Sequence, residues 1–322
     1  MVGGIVLGAL VLCISVWGAF ALAVRAQAGL AARRALVCCW ALSALLALAG
    51  LLSGQRSWLW PFALALAGLA WWWHGIRPSH DRAWMPEVSR QTSGRVEGDL
   101  VTLDNVRNFD WRGLDDFEPR WETREFRLSQ LASVDMALSY WGRDAVAHTM
   151  VSFGFGEAGH VVFSVEIRRK QGEKFSEIGG FFRQYELSII AATEEDCLRV
   201  RTNVRGEEGY LYRVDMPMEA ARALLLSYIA SANRLIGQPR FYNTLTANCT
   251  TIVYRMVRHI VPGLPLDYRL LLSGYLPEYL HKLGALQGPG DVATLRAQAR
   301  YTDRARAEAS AARFSSVIRT HI

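Results

Sequence analysis

The first 76 residues contain no aspartate, glutamate or lysine, and only four charged side chains: Arg25, Arg33, Arg34 and Arg56. So few charges cannot keep a segment of that length in water, which excludes a wholly cytosolic soluble enzyme. Removing those four leaves 32 basic against 30 acidic groups in residues 77–322, although the chain carries +6 in total. No clustered basic face remains, so no nucleic-acid partner is expected. CxxC, HExxH and related metal-ligand spacings are also missing, so no metal site is expected. GxSxG is absent, and with it the nucleophile elbow of serine hydrolases. One fingerprint is present in letters only. Gly154, Gly156 and Gly159 spell GxGxxG, but dinucleotide binding needs a helix after the loop, and a strand pattern follows.

Three apolar stretches open the chain: Val2–Val24, Ala35–Ser53 and Ser57–Trp73. The first is long enough for a hydrocarbon core of about 30 Å. Trp58 and Trp60 at one end of the third, and Trp71, Trp72 and Trp73 at the other, resemble the aromatic belts of the two interfaces. A cleaved signal peptide fits poorly, because no basic residue precedes the first run and two more follow. The reading is a membrane segment over residues 1–76 with about three transmembrane helices; a re-entrant pair is the alternative for the second and third. Arg25, Arg33 and Arg34 in the first loop, against Arg56 in the second, would turn residues 77–322 toward the cytoplasm.

Residues 77–99 read as a connector. Strands are expected at 100–110, 124–131, 148–155, 160–169, 186–191 and 209–214, with the second pair of apolar runs forming a hairpin around Gly156–Gly159. Apolar residues at helical spacing mark helices over 218–236 and 248–260. The Arg-rich tail, residues 291–322, reads as helical with a solvated charged face. The fold class is α+β with mainly antiparallel strands.

Chemistry is concentrated at Cys249. Cys13, Cys38 and Cys39 fall in the apolar stretches, and Cys197 reads as a buried bystander. Asn248 is a favourable N-cap, which puts Cys249 in the first turn of a helix, where N–H groups and the dipole stabilise a thiolate. A buried, inert thiol is the plainer alternative. His259 lies ten residues along the same helix, about 15 Å away, too far to serve as a base. His160 abuts the hairpin turn and is expected to be exposed; His281, and His321 in the tail, are further candidates. His148 opens a strand, where a side chain can project at a sheet end.

Four motifs then occur in order: His148-Thr-Met-Val-Ser-Phe-Gly-Phe, Phe163-Ser-Val-Glu-Ile-Arg-Arg, Phe182-Arg-Gln-Tyr-Glu-Leu and Tyr242-Asn-Thr-Leu-Thr-Ala-Asn-Cys-Thr-Thr. With Asn105-Val-Arg-Asn-Phe and Pro119-Arg-Trp upstream, they resemble the Lnb periplasmic-domain family over roughly residues 100–265. That family is similar to circularly permuted papain-like thiol enzymes, which include NlpC-like hydrolases and lecithin:retinol-type acyltransferases. The resemblance implies a papain-like domain over residues 100–290, with an antiparallel sheet and a Cys-bearing helix. It also implies a bacterial inner-membrane protein with a periplasmic soluble domain, and we follow it over the charge bias.

The catalytic residues implied are Cys249, His148 and a polar group on the next strand. If the two strands pair as a hairpin, the position facing His148 falls near residues 166–168. Glu166 is preferred because a carboxylate orients the imidazole and stabilises its cation. A one-residue register change moves Glu166 onto or off that face; Ser164 and Arg168 are the other candidates, and a purely structural Glu166–Arg ion pair is the plainer reading. Asn248, Tyr242, Asn243, Arg168 and Tyr185 match family motifs and are candidates for shaping the substrate site. The function implied is acyl transfer through a Cys249 thioester, with membrane phospholipid as donor and a lipoprotein N-terminus as acceptor, and no cofactor required. A cysteine amidase or peptidase acting on the envelope is the second reading, and a non-catalytic membrane-anchored assembly protein the third.

Overall fold

A computed structural model of the chain describes residues 2–26, 29–308 and 310–320; His321 lies outside them. The chain divides into two compact units. One comprises the residues up to Ser79 with Lys174–Tyr185, the other His80–Glu173 with Glu186–Ile322.

In the first unit the apolar stretches form α1 (Val2–Arg25), α2 (Leu30–Ser53) and α3 (Leu59–Gly75). Gly3–Arg25 and Leu30–Ser53 are long and apolar enough to cross a membrane. The third helix has 17 residues, about 25 Å by helical rise, the short limit for a span. Side-chain fit joins the helices. The Trp40 indole N–H donates to the Ser15 carbonyl at 2.8 Å, Phe62 packs on the Trp40 ring, and a side chain at Gly18 would run into that ring. Phe182, from the 174–185 segment, stacks on Phe20, and the Arg183 guanidinium lies over Trp73.

The second unit is α+β. Its strands are β1 (Ser93–Glu97), β2 (Leu100–Arg107), β3 (Asp110–Trp111), β4 (Phe117–Glu118), β5 (Trp121–Arg127), β6 (Ser133–Tyr140), β7 (Ala147–Gly154), β8 (His160–Arg168), β9 (Glu186–Ala192) and β10 (Glu208–Arg213). The main sheet runs β1-β2-β9-β8-β7-β6-β10, with β5 also on β2; β3 and β4 form a separate ribbon. Its pairs are antiparallel except for one parallel bridge between β2 and β9. The helices are α4 (Glu194–Cys197), α5 (Met218–Gly237), α6 (Thr251–Ile260), α7 (Leu276–Lys282), α8 (Val292–Ala299), α9 (Thr302–Ala307) and α10 (Phe314–Val317).

Strand alternation sends two apolar sets to opposite faces. Val151, Phe153, Phe163 and Val165 pack under Leu224, Leu225 and Tyr228 of α5 and Met256 of α6. Met150, Val162 and Ile190 pack against Cys197, Leu198, Tyr301, Phe314 and Ile318. Gly156 and Gly159 turn the hairpin at positive φ, 59° and 82°, and β8 starts at the next residue. Those glycines serve a turn.

Three expectations change. The stretch read as a connector supplies β1, paired with β2 over five residues. β6 went unseen because all eight of its residues are buried; a strand covered on both faces has no alternation to read. The tail is broken into α8, α9, α10 and short turns, and its charges are not simply solvated. Arg319 is held between Asp135 at 2.9 Å and Glu194, both carboxylates fully buried. Tyr301, Phe314 and Ile318 fill the core beside it.

Candidate active site

Register decides which polar residues meet. Met150 on β7 pairs with Ser164 on β8, so two residues toward the open end His148 opposes Glu166. His148 Nε2 lies 3.1 Å from Glu166 Oε1 and 2.7 Å from Ser164 Oγ; the Ser164 hydroxyl donates to Glu166 at 2.6 Å. Serine thus joins the carboxylate instead of replacing it. Arg201, in a π-helical turn at Val200–Val204, donates to Glu166 at 3.2 Å and to Glu207 at 3.3 Å. No motif pointed to Arg201. It reaches the site only through the fold, and a lone arginine after a helix carries no sequence signal.

Cys249 enters from the other side. Asn248 Oδ1 accepts the N–H groups of Thr250 and Thr251 at 2.9 and 2.7 Å, and the Asn248 carbonyl accepts from Ile252 N–H. That is N-cap bonding, although the regular helix begins at Thr251. Cys249 therefore lies in the turn that leads into α6 and not inside the helix proper. Its thiol is coupled electrostatically to the His148 imidazole and to the Thr149 backbone N–H; the Thr250 hydroxyl is 3.9 Å away.

Electrostatics couple the three groups. Burial works against charge on His148, but the Glu166 carboxylate outweighs it and carries the imidazole up to about 9. Burial likewise opposes a Cys249 thiolate, yet the His148 imidazole, with the Thr149 N–H, holds the thiol below its ordinary range. Partial burial works against the charge on Glu166 too, and His148, Arg201 and Ser164 still keep it well below the usual carboxylate range. An imidazolium beside a thiolate is the state in which cysteine nucleophiles work.

Residues 117–274 match the family model of the Lnb N-terminal periplasmic domain. That stretch is an Lnb N-terminal periplasmic domain. No curated protein and no solved structure matches the chain. The matched stretch runs from β4 past α6 and holds His148, Glu166, Arg201 and Cys249. β1, β2 and the tail, which complete this sheet and its core, lie outside it.

The remaining candidates separate. Tyr242 packs against the core cluster that holds Cys249, and burial, with the Cys249 and Glu166 charges, pushes its hydroxyl far above the ordinary range. Asn243 organises the preceding turn, its Oδ1 accepting from Leu245 and Thr246. Asn248 shapes the nucleophile's turn. Arg168 is not in the site: it is buried, bonded to the Val88 and Ser89 carbonyls and to His80, with its guanidinium over Trp84. Tyr185 is fully buried in the first unit, its hydroxyl tied to Ser176 N–H and the Lys174 carbonyl. Both motif residues serve packing. His160 is not fully exposed either; it lies 3.9 Å from Glu194 with its side chain 19% accessible, and burial lowers its pKa. Among the described residues, no three His, Cys, Asp or Glu side chains gather as a metal-holding group.

Proposed function

We propose that this Lnb-domain protein is a membrane-anchored, periplasm-facing thiol acyltransferase that takes an acyl chain from a phospholipid and passes it to an amine, the N-terminus of a lipoprotein. One observation carries the reading: at the entrance to α6 the Cys249 thiol is coupled electrostatically to the His148 imidazole, which Glu166 holds at 3.1 Å and keeps protonated. The Cys249 thiolate attacks the ester carbonyl and the C–O bond breaks. The His148 imidazolium gives its proton to the departing alkoxide, leaving an acyl thioester and a neutral ring. The incoming amine attacks the thioester, His148 takes its proton, and the thiolate leaves to restore the starting ion pair. Charge developing on the carbonyl oxygen is favoured by the positive end of α6. Two apolar helices long enough to span a bilayer support this reading, since donor and acceptor are both confined there.

The test is intact mass of the purified chain and its Cys249→Ala variant after incubation with phospholipid vesicles. A hydroxylamine-labile acyl adduct on the wild type alone is expected. Absence of an adduct while Cys249 alkylates readily would remove phospholipid acyl transfer and favour an amidase.

A further inference from the structure

Beside the thiol, the second unit contains a half-enclosed cavity of about 330 Å³, at the small end of the range for ligand sites. Its polar corner is formed by Thr149 and Thr250, the residues that follow His148 and Cys249 in sequence. Their hydroxyls lie 3.4 Å apart, and that of Thr250 is 3.9 Å from Cys249 Sγ. Val151 and Leu224, which line the cavity, belong to the same core cluster as Cys249. From that corner the cavity follows one face of α6. Thr250, Val253, Val257 and Val261 all line it, at the spacing of a single helical stripe. Eleven residues of rise make that stripe roughly 16 Å long.

We infer that this cavity is the binding site for a single unbranched acyl chain, with the thioester carbon held at Cys249 and the tail running along α6 toward α7. The inference rests on the acyl-transfer reading and adds where the chain goes and what limits its length. The lining chemistry selects the ligand. Beyond the two threonines the walls are aliphatic or aromatic apart from Asp215 at the rim, whose carboxylate takes a bond from Gln287. A peptide would bring a donor and an acceptor per residue into those walls and leave them unpaired, at a cost an alkyl chain does not incur. Each methylene buried there raises affinity by about fourfold, so acylation should favour long chains until the cavity is full.

The experiment uses the full chain in detergent with p-nitrophenyl acetate, octanoate and palmitate. It reads nitrophenol release and the intact mass of the Cys249 adduct in wild type and in Val257→Trp, which fills the middle of the stripe. Leu280→Trp, on α7, serves as a second filled variant should Val257→Trp melt early. The expected result is a palmitoyl-to-acetyl rate ratio at least tenfold lower in a filled variant, with octanoate between. An unchanged ratio in a folded variant would overturn the cavity assignment and leave thiol acylation standing. If no ester acylates the wild-type thiol, the acyl-transfer reading fails first and the cavity assignment falls with it.

Discussion

Replacing Glu166 with glutamine removes one charge and keeps the shape of the side chain. At 3.1 Å from His148 Nε2, and with an effective dielectric of about 20, that charge is worth about 5 kcal/mol to the imidazolium. The net rise of His148 from 6.5 to about 9 corresponds to about 3 kcal/mol. The difference is what burial and the neighbouring Arg201 subtract. In Glu166→Gln those opposing effects remain, so the imidazole falls below its ordinary value and is neutral at pH 7. Cys249 then loses the cation that lowers its own pKa. Its alkylation by iodoacetamide at pH 6.5 should slow by up to about a hundredfold, since about 1.4 kcal/mol is a factor of ten. The assay is the rate of carbamidomethylation at Cys249 from pH 5 to 9, followed by peptide mass, with a thermal melt to confirm folding. Stability should move with it. A raised His148 pKa contributes stability that is complete below 6.5 and is lost as the pH climbs through about 9. The depressed Glu166 pKa contributes above the ordinary carboxylate range and is lost as the pH falls through its lowered value. The wild type should therefore exceed the variant most between about pH 4.5 and 6.5, with the gap closing toward pH 9. Superimposable alkylation profiles in two folded proteins would refute the ion-pair account.

Two further outcomes follow from buried charge. Arg319→Ala leaves buried Asp135 and Glu194 without their shared cation, Asp135 keeping only Arg213; a loss of about 3–5 kcal/mol is expected, read by urea unfolding, and a loss under about 1 kcal/mol would show that the two carboxylates do not depend on Arg319. Burial, against the pull of Arg107 and Arg201, pushes the Cys197 thiol up to about 11. Native protein treated with iodoacetamide at pH 8 should therefore carry label at Cys249 and none at Cys197 by peptide mapping. Equal labelling would contradict its role as an inert core residue.

Much of the site was legible because its signals are local. An Asn before a Cys at the head of an apolar helical stripe, and a His opening one arm of a glycine-turned hairpin, are patterns within ten or twenty residues. Glu166 could be reached by counting across the hairpin, since an antiparallel register fixes which residues face each other once the turn is known. Arg168 and Tyr185 misled because a motif reports that a residue is needed, not what it touches. Arg168 holds the chain before β1 to the sheet, and Tyr185 closes its own loop.

The amino-acid sequence alone determined the apolar helices, the hairpin, α5, the entry into α6 and the family, because hydrophobic period, turn glycines and capping residues act over one or two turns of chain. Only the tertiary structure decided that β6 lies buried in the sheet, that Arg201 clamps Glu166, that the tail closes the core through Arg319, and that an apolar cavity begins beside the thiol. Each of these joins residues tens to nearly two hundred positions apart. Their energy comes from burial and from charges desolvated together, neither of which exists until the chain has folded.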